Sequence, residues 1–183
     1  MTDSTTVDSS EKVARILSTE WFVDGHLMNI AYTLLEGETY ISVNRPVINT
    51  YDSDVADFVA KHDKYLFGTE KYKRAMLCVS DIRAIKVDAF GEPLKINVEV
   101  EPRDSHTKSH AGIFTRYENK NVKRGDTLGR LDKEISADDV LIKVRTQLLN
   151  MTTVEQMTLH MSDESIEKNN STVSLMTGHS FQS

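Results

Sequence analysis

In the stretch LKINVEVE, Leu94, Ile96, Val98 and Val100 alternate with Lys95, Asn97, Glu99 and Glu101. A period of two puts the four aliphatic side chains on one face of a strand and the polar ones on the other. Pro102 has no N–H to give to a ladder and ends the strand, while Phe90-Gly91 turns the chain before it. AMLCVSDIRAIKV (residues 75–87) and AGIFTRY (111–117) read as two further strands. Upstream, HLMNIAYTLL and TYISVNR flank EGE and predict a hairpin turning at Gly37. In its second arm Tyr40, Ser42 and Asn44 alternate with Ile41, Val43 and Arg45, which implies a sheet with one covered face.

Other segments carry the helical period. In YDSDVADFVAKHDKYLFG, Val55, Phe58, Val59, His62 and Leu66 follow the i, i+3, i+4, i+7 spacing. Asp52 or Ser53 can cap this helix and Gly68 can end it. SADDVLIKVRTQLLNM predicts a second helix, with Ser136 at the N-cap, Asp139 at N3, and a stripe of Leu141, Val144 and Leu148. TTVEQMTLHMSDESI, with Val154, Met157 and Met161 aligned, predicts a continuation of that helix or another one. Before all of these, SEKVARIL predicts one or two helical turns, and Asp24-Gly25 is a turn signal.

Strands cluster rather than alternate with helices. That order predicts an α+β fold: an antiparallel sheet with helices packed on one face and a helical C-terminal region. Residues 1–10, rich in Ser, Thr and Asp, read as a disordered tail, 11–165 as a single α+β domain, and 166–183 as a polar C-terminal tail. A chain of 183 residues with 39% hydrophobic residues is long enough to bury one core.

The net charge of −6 argues against a global basic field for nucleic acid. The single cysteine, Cys78, excludes an intramolecular disulfide and Cys-rich zinc modules. It lies in an apolar run and is expected to be buried in a central strand and unreactive. The N-terminus lacks a basic segment followed by an apolar one, and no apolar run approaches the ~20 residues of a membrane helix. These features predict a cytoplasmic protein away from membranes.

Two stretches together resemble an uncharacterised family of small bacterial proteins. EWFVDGHLMNIAYTLLEGETYISVNRPV is similar to that family's aromatic residue, DG turn, small residue beside an aromatic, and SV segment with an arginine. VSDIRAIKVDAF and LKINVEVEPRDSHTKSHAGIF are similar to its strand with an arginine, strand ending in proline, and polar loop closing on HA. The resemblance covers roughly a third of the chain and implies a bacterial source, with no activity attached. The DSHTKS loop is longer here and the C-terminal helical region is extended.

Candidate chemistry concentrates in DSHTKSHAGI. His106 and His110 are four apart, the spacing by which a helix presents two imidazoles to a metal. In a loop between Pro102 and Gly112 that spacing fixes no geometry, so neither a metal nor a cofactor is expected. His110 stands where the loop enters a strand, the position of a half-buried histidine hydrogen-bonded through one ring nitrogen. His110, Arg45 and Asp104 are the candidate catalytic residues. Arg45 and Arg83 could each clamp a carboxylate or phosphate. Lys120, Lys123 and Arg124 are the candidate ligand-binding residues, in one of two locally basic segments. Lys61, Lys64, Lys71, Lys73 and Arg74 form the other. No Walker loop, GxGxxG fingerprint or Gly-x-Ser-x-Gly elbow is present.

These features predict a non-enzymatic binding or protein-interaction module, with a protein partner or a second copy favoured over nucleic acid. The alternative is a small enzyme acting on nucleic acid or a nucleotide, with a site around His110 and Arg45. The enzyme needs those two side chains to converge in one concave pocket; the module needs only an accessible surface.

Overall fold

The computed structural model describes residues 6–33, 40–89, 92–100, 108–117 and 139–159. Its strands are β1 (Lys12–Leu17), β2 (Phe22–Val23), β3 (His26–Leu27), β4 (Ile41–Asn44), β5 (Lys71–Cys78), β6 (Asp88–Ala89), β7 (Glu92–Val100), β8 (His110–Tyr117) and β9 (Thr153–Thr158). Its helices are α1 (Tyr51–Ala60), α2 (Val79–Ala84) and α3 (Asp139–Asn150). Seven strands form one sheet in the order β6-β7-β8-β4-β1-β5-β9, every neighbouring pair antiparallel. The protein is thus α+β with an antiparallel sheet, as the clustered strands predict.

β7 and β8 match their sequence patterns. Leu94, Ile96 and Val98 are buried, and they pair across to Tyr117, Thr115 and Ile113. β4 also keeps its alternation, with Ile41 and Val43 inward, but its strand partners are β1 and β8, not the described residues 26–33 of the expected first arm. In place of the first hairpin arm, His26–Leu27 folds back on Phe22–Val23, and Asn29–Tyr32 forms a 3-10 turn. Asp24 and Gly25 both have positive φ, 50° and 79°. Consecutive positive values are those of a type I′ turn, which the DG pair adopts at low cost.

Residues 12–17 form a central strand, not helical turns. Val13 through Leu17 are all buried, so both faces of β1 are covered and no polar alternation marks it. Val13, Leu17, Ala75 and Leu77 pack with Val79 and Ile82 of α2 and Val144 and Leu148 of α3. Ala14, Ile16, Tyr72 and Met76 pack with Tyr51, Val55 and Val59 of α1. The helices therefore occupy both faces of the sheet, not one face as expected, with α1 opposite α2 and α3.

Three boundaries differ from the sequence reading. The β1–β5 ladder closes on a last bond from Val79 N–H to Glu11 O (3.0 Å), and Val79–Ala84 then coils into α2. Ser80 and Asp81 suit that first turn, where an acidic side chain meets the positive end of the helix. α1 is shorter than its apolar spacing suggests: the helix ends at Ala60, His62 leaves helical geometry (φ −139°), and Asp63–Tyr65 forms a separate 3-10 turn. Thr153–Thr158 is a strand rather than a helix, paired with Met76 to Lys71. Thr152, Thr153 and Val154 are β-branched and favour the extended chain there.

The polar N-terminal segment is docked from Thr6 onward. Val7 is 1% exposed and its N–H donates to Val98 O (3.0 Å). Arg83, on α2, holds this segment: it donates to Val7 O (2.5 Å), Ser9 Oγ (2.6 Å) and Asn97 Oδ1 (2.8 Å). Among the described residues no helix is long and apolar enough to cross a membrane.

Candidate functional site

β4 and β8 run side by side, so Asn44 lies opposite His110 and Ser42 opposite Gly112. His110 is buried at 5% exposure. Its Nε2 is 3.2 Å from the Tyr40 hydroxyl, close to the arrangement expected of a histidine at a strand start, with a phenol in place of a backbone group. The Tyr40 ring lies across Gly112, between His110 (ring centroids 5.8 Å) and Phe114 (4.9 Å). Gly112 is what allows this: a Cβ there would stand 2.5 Å from Tyr40 Cδ2 and 2.7 Å from Phe114 Cε2. Asn97 Nδ2 donates to the buried Glu99 carboxylate (3.3 Å), on the face of β7 that Gly112 shares.

One residue upstream, the Ser109 hydroxyl donates to Asp54 Oδ2 at 2.6 Å and its N–H to the same oxygen at 3.1 Å. Asp54 also accepts from Thr50 Oγ1 (3.0 Å), so a single carboxylate ties the first turn of α1 to the start of β8. Arg45 leaves the end of β4 and forms a bidentate pair with Glu11, Nε to Oε2 at 2.9 Å and Nη2 to Oε1 at 2.8 Å. The two side chains are 17% and 14% exposed. A fork-on-fork pair of this kind fixes the guanidinium in one orientation.

Arg45 and His110 are thus neighbours through the backbone, where Arg45 N–H donates to Ser109 O (2.7 Å). Their side chains have different partners, Glu11 for one and Tyr40 for the other. Asp104, His106, Lys120, Lys123 and Arg124 lie outside the described residues. Among the described residues, no group of three or more His, Cys, Asp or Glu is placed to hold a metal ion. In the other basic segment, Lys73 sits over the rings of Phe22 (4.4 Å) and Phe67 (4.5 Å). Arg74 is paired with Glu155 (2.8 Å) and donates to the Tyr51 hydroxyl (3.0 Å). Lys61, Lys64 and Lys71 remain exposed. Cys78 stands at the end of β5 and is half-buried, not enclosed in mid-strand.

Residues Thr153–Thr158, expected as part of a helical stripe, form instead the margin of the sheet at β9. Leu159 N–H donates to Glu70 O (2.8 Å). In an antiparallel ladder, successive residues direct their N–H and C=O to opposite sides. Met157, Glu155 and Thr153 therefore bond to β5, while Val154, Gln156 and Thr158 direct theirs away from the sheet. Beyond them no described strand follows. Against the C-terminal half of β9 lies an open cleft of about 330 Å³, lined by Asp52, Tyr72, Gln156, Met157, Thr158 and Leu159. Burial pushes the Tyr72 and Tyr51 hydroxyls up, so both stay protonated donors at neutral pH. The opposite margin differs: β6 pairs with one end of β7, and Thr6 and Val7 bond to its other end.

Comparison of the chain with protein-family models, curated proteins and solved structures finds no match.

Proposed function

We propose that this protein is a non-enzymatic protein-interaction module that takes up an extended segment along β9. One observation carries this reading: three consecutive outward N–H/C=O sets, on Val154, Gln156 and Thr158, beside a cleft that can receive a side chain. Strand addition uses these two elements, main-chain hydrogen bonds for affinity and a flanking pocket for selectivity. The cleft offers Asp52 as an acid, Tyr72 as a donor and Met157 and Leu159 as an apolar wall. An incoming segment with an apolar residue matches the Met157 and Leu159 wall.

The test compares two affinity baits in extract of the native host, wild type and Gln156→Pro. Proline at position 156 deletes an outward N–H and leaves the bonds to β5 in place, which a marginal strand tolerates. Proteins held by wild type and released by Gln156→Pro support the reading. A retained set that is identical for both baits refutes it. The alternative enzyme at His110 and Arg45 would require Arg45 to leave Glu11 before it could clamp an anion.

A further inference from the structure

We infer that β9 pairs with β9 of a second copy of this chain, antiparallel about a two-fold axis through Gln156. This names one partner for the surface proposed above and rests on that reading.

Symmetry limits the registers such a pair can adopt. A two-fold axis normal to the sheet keeps each face continuous across the junction, so paired residues must share a face. Position numbers in each pair then sum to an even value, and the axis passes through a residue. Centred on Gln156, the pairs are Gln156 with Gln156, Val154 with Thr158, and Glu155 with Met157. Val154, Gln156 and Thr158 are the residues whose main-chain groups point away from β5. Every outward N–H and C=O of the strand then finds a partner, six hydrogen bonds by the alternation of the ladder.

Neighbouring registers do worse. Centred on Glu155, two carboxylates stand directly opposite each other, which destabilises a cross-strand pair. Centred on Met157, Val154 or Thr158, the strand overhangs its partner and leaves outward groups of Val154 or Thr158 unpaired within β9. The chosen register sets Glu155 opposite the thioether of Met157 instead, while its carboxylate stays with Arg74.

The composition of the strand agrees. Marginal strands are commonly guarded by lysine, proline or a bulge. TVEQMT has none of these, and its only charge is already bonded to Arg74 within the chain. Val154, 41% exposed, gains cover from Thr158 of the second copy. At the opposite margin β6 pairs with one end of β7 and Thr6–Val7 bond to the other, so β7 offers only a short stretch between them. The closed pair does not propagate into a fibre.

The test is mass in solution over a concentration series, by light scattering or sedimentation, on the full chain. The mass is expected to rise from the 20.7 kDa of one chain toward twice that value, and to stay at one chain for Gln156→Pro. A second measurement does not depend on how proline is tolerated. In a Cys78→Ser background, Gln156→Cys should oxidise to a covalent dimer, because a hydrogen-bonded pair sets the two Cα atoms about 5.5 Å apart, within disulfide reach. Val154→Cys should not, because its two copies lie about 14 Å apart along the strands. A chain that stays monomeric at every concentration overturns the inference. So does a dimer that survives Gln156→Pro, or one that crosslinks through position 154 and not 156. A monomer that still loses host proteins on Gln156→Pro overturns self-pairing alone and leaves the interaction reading standing.

Discussion

Replacing Gly112 by alanine tests whether the Tyr40 ring is held where the structure places it. The added Cβ would meet Tyr40 Cδ2 at 2.5 Å, Phe114 Cε2 at 2.7 Å and Tyr40 Cγ at 2.8 Å. Comfortable carbon contacts begin near 3.5 Å, so the Tyr40 ring must lift by roughly 1 Å. That shift also strains the contact between its hydroxyl and His110 Nε2. Overpacking of this size costs about 1–3 kcal/mol. For a chain of this length that lowers the thermal midpoint by about 2–4 °C per kcal/mol. The assay is urea unfolding of four proteins: wild type, Gly112→Ala, Tyr40→Ala and the double variant. Tyr40→Ala removes the obstacle, so adding Gly112→Ala in that background should cost at least about 0.5 kcal/mol less than in wild type. Phe114 keeps the residual cost above zero. Refutation is simple to state: a Gly112→Ala protein within 0.5 kcal/mol of wild type, or equal costs in both backgrounds, means that Tyr40 does not lie on Gly112.

Three further expectations follow from the same structure. Glu11→Gln should destabilise the fold by about 1–2 kcal/mol, between the values for exposed and buried pairs, and unfolding at high salt should show most of that loss persisting. Tyr32 has its hydroxyl pushed up to about 12, mainly by burial, from an ordinary value of 10.0. The folded chain therefore holds this proton more tightly, and its contribution is complete below pH 10 and lost as pH rises from 10 through 12. Equilibrium unfolding across that range should show an alkaline loss of ~2–3 kcal/mol from this group, absent in Tyr32→Phe. Cys78, half-buried at the end of β5, should react with a thiol reagent more slowly in the native protein than in denaturant; equal rates would contradict its placement.

What the sequence disclosed depended on how each strand is covered. β7 was legible because Leu94, Ile96 and Val98 face a core while Lys95, Asn97 and Glu99 do not share it, so the period of two is written in the residues. β1 was not, because helices cover both of its faces and Val13 to Leu17 carry no alternation. β9 misled for a different reason. Val154 and Met157 are three apart, as on a helix, yet in the strand they point to opposite faces, one beside Ala75 and the other beside Tyr72. His110 could be singled out from its position at a strand start, but the structure buries it more deeply than the half-buried setting expected there. Arg45, after a strand, and Arg83, within SDIRAI, could be named as possible clamps, but their partners could not. Glu11 is 34 residues from Arg45, and the Val7 carbonyl is 76 from Arg83. Pairings at such separation are set by topology, and the place of β9, beyond which no described strand follows, is itself a property of strand order.

The Arg74–Glu155 pair spans 81 positions, and it bears on how the chain is made. β5 leaves the ribosome long before β9, its neighbour in the sheet. At about 5–20 residues per second, the chain from Val79 to Thr152 takes ~4–15 s to synthesise. Throughout that interval the outward N–H and C=O groups of Tyr72, Arg74 and Met76, with the apolar side chains beside them, have no partner from their own chain. Arg74 is suited to this wait: until Glu155 arrives, its charge stands in the middle of the exposed strand and discourages the wrong strand from pairing there. The residue that locks β9 in place thus also guards its vacancy during synthesis.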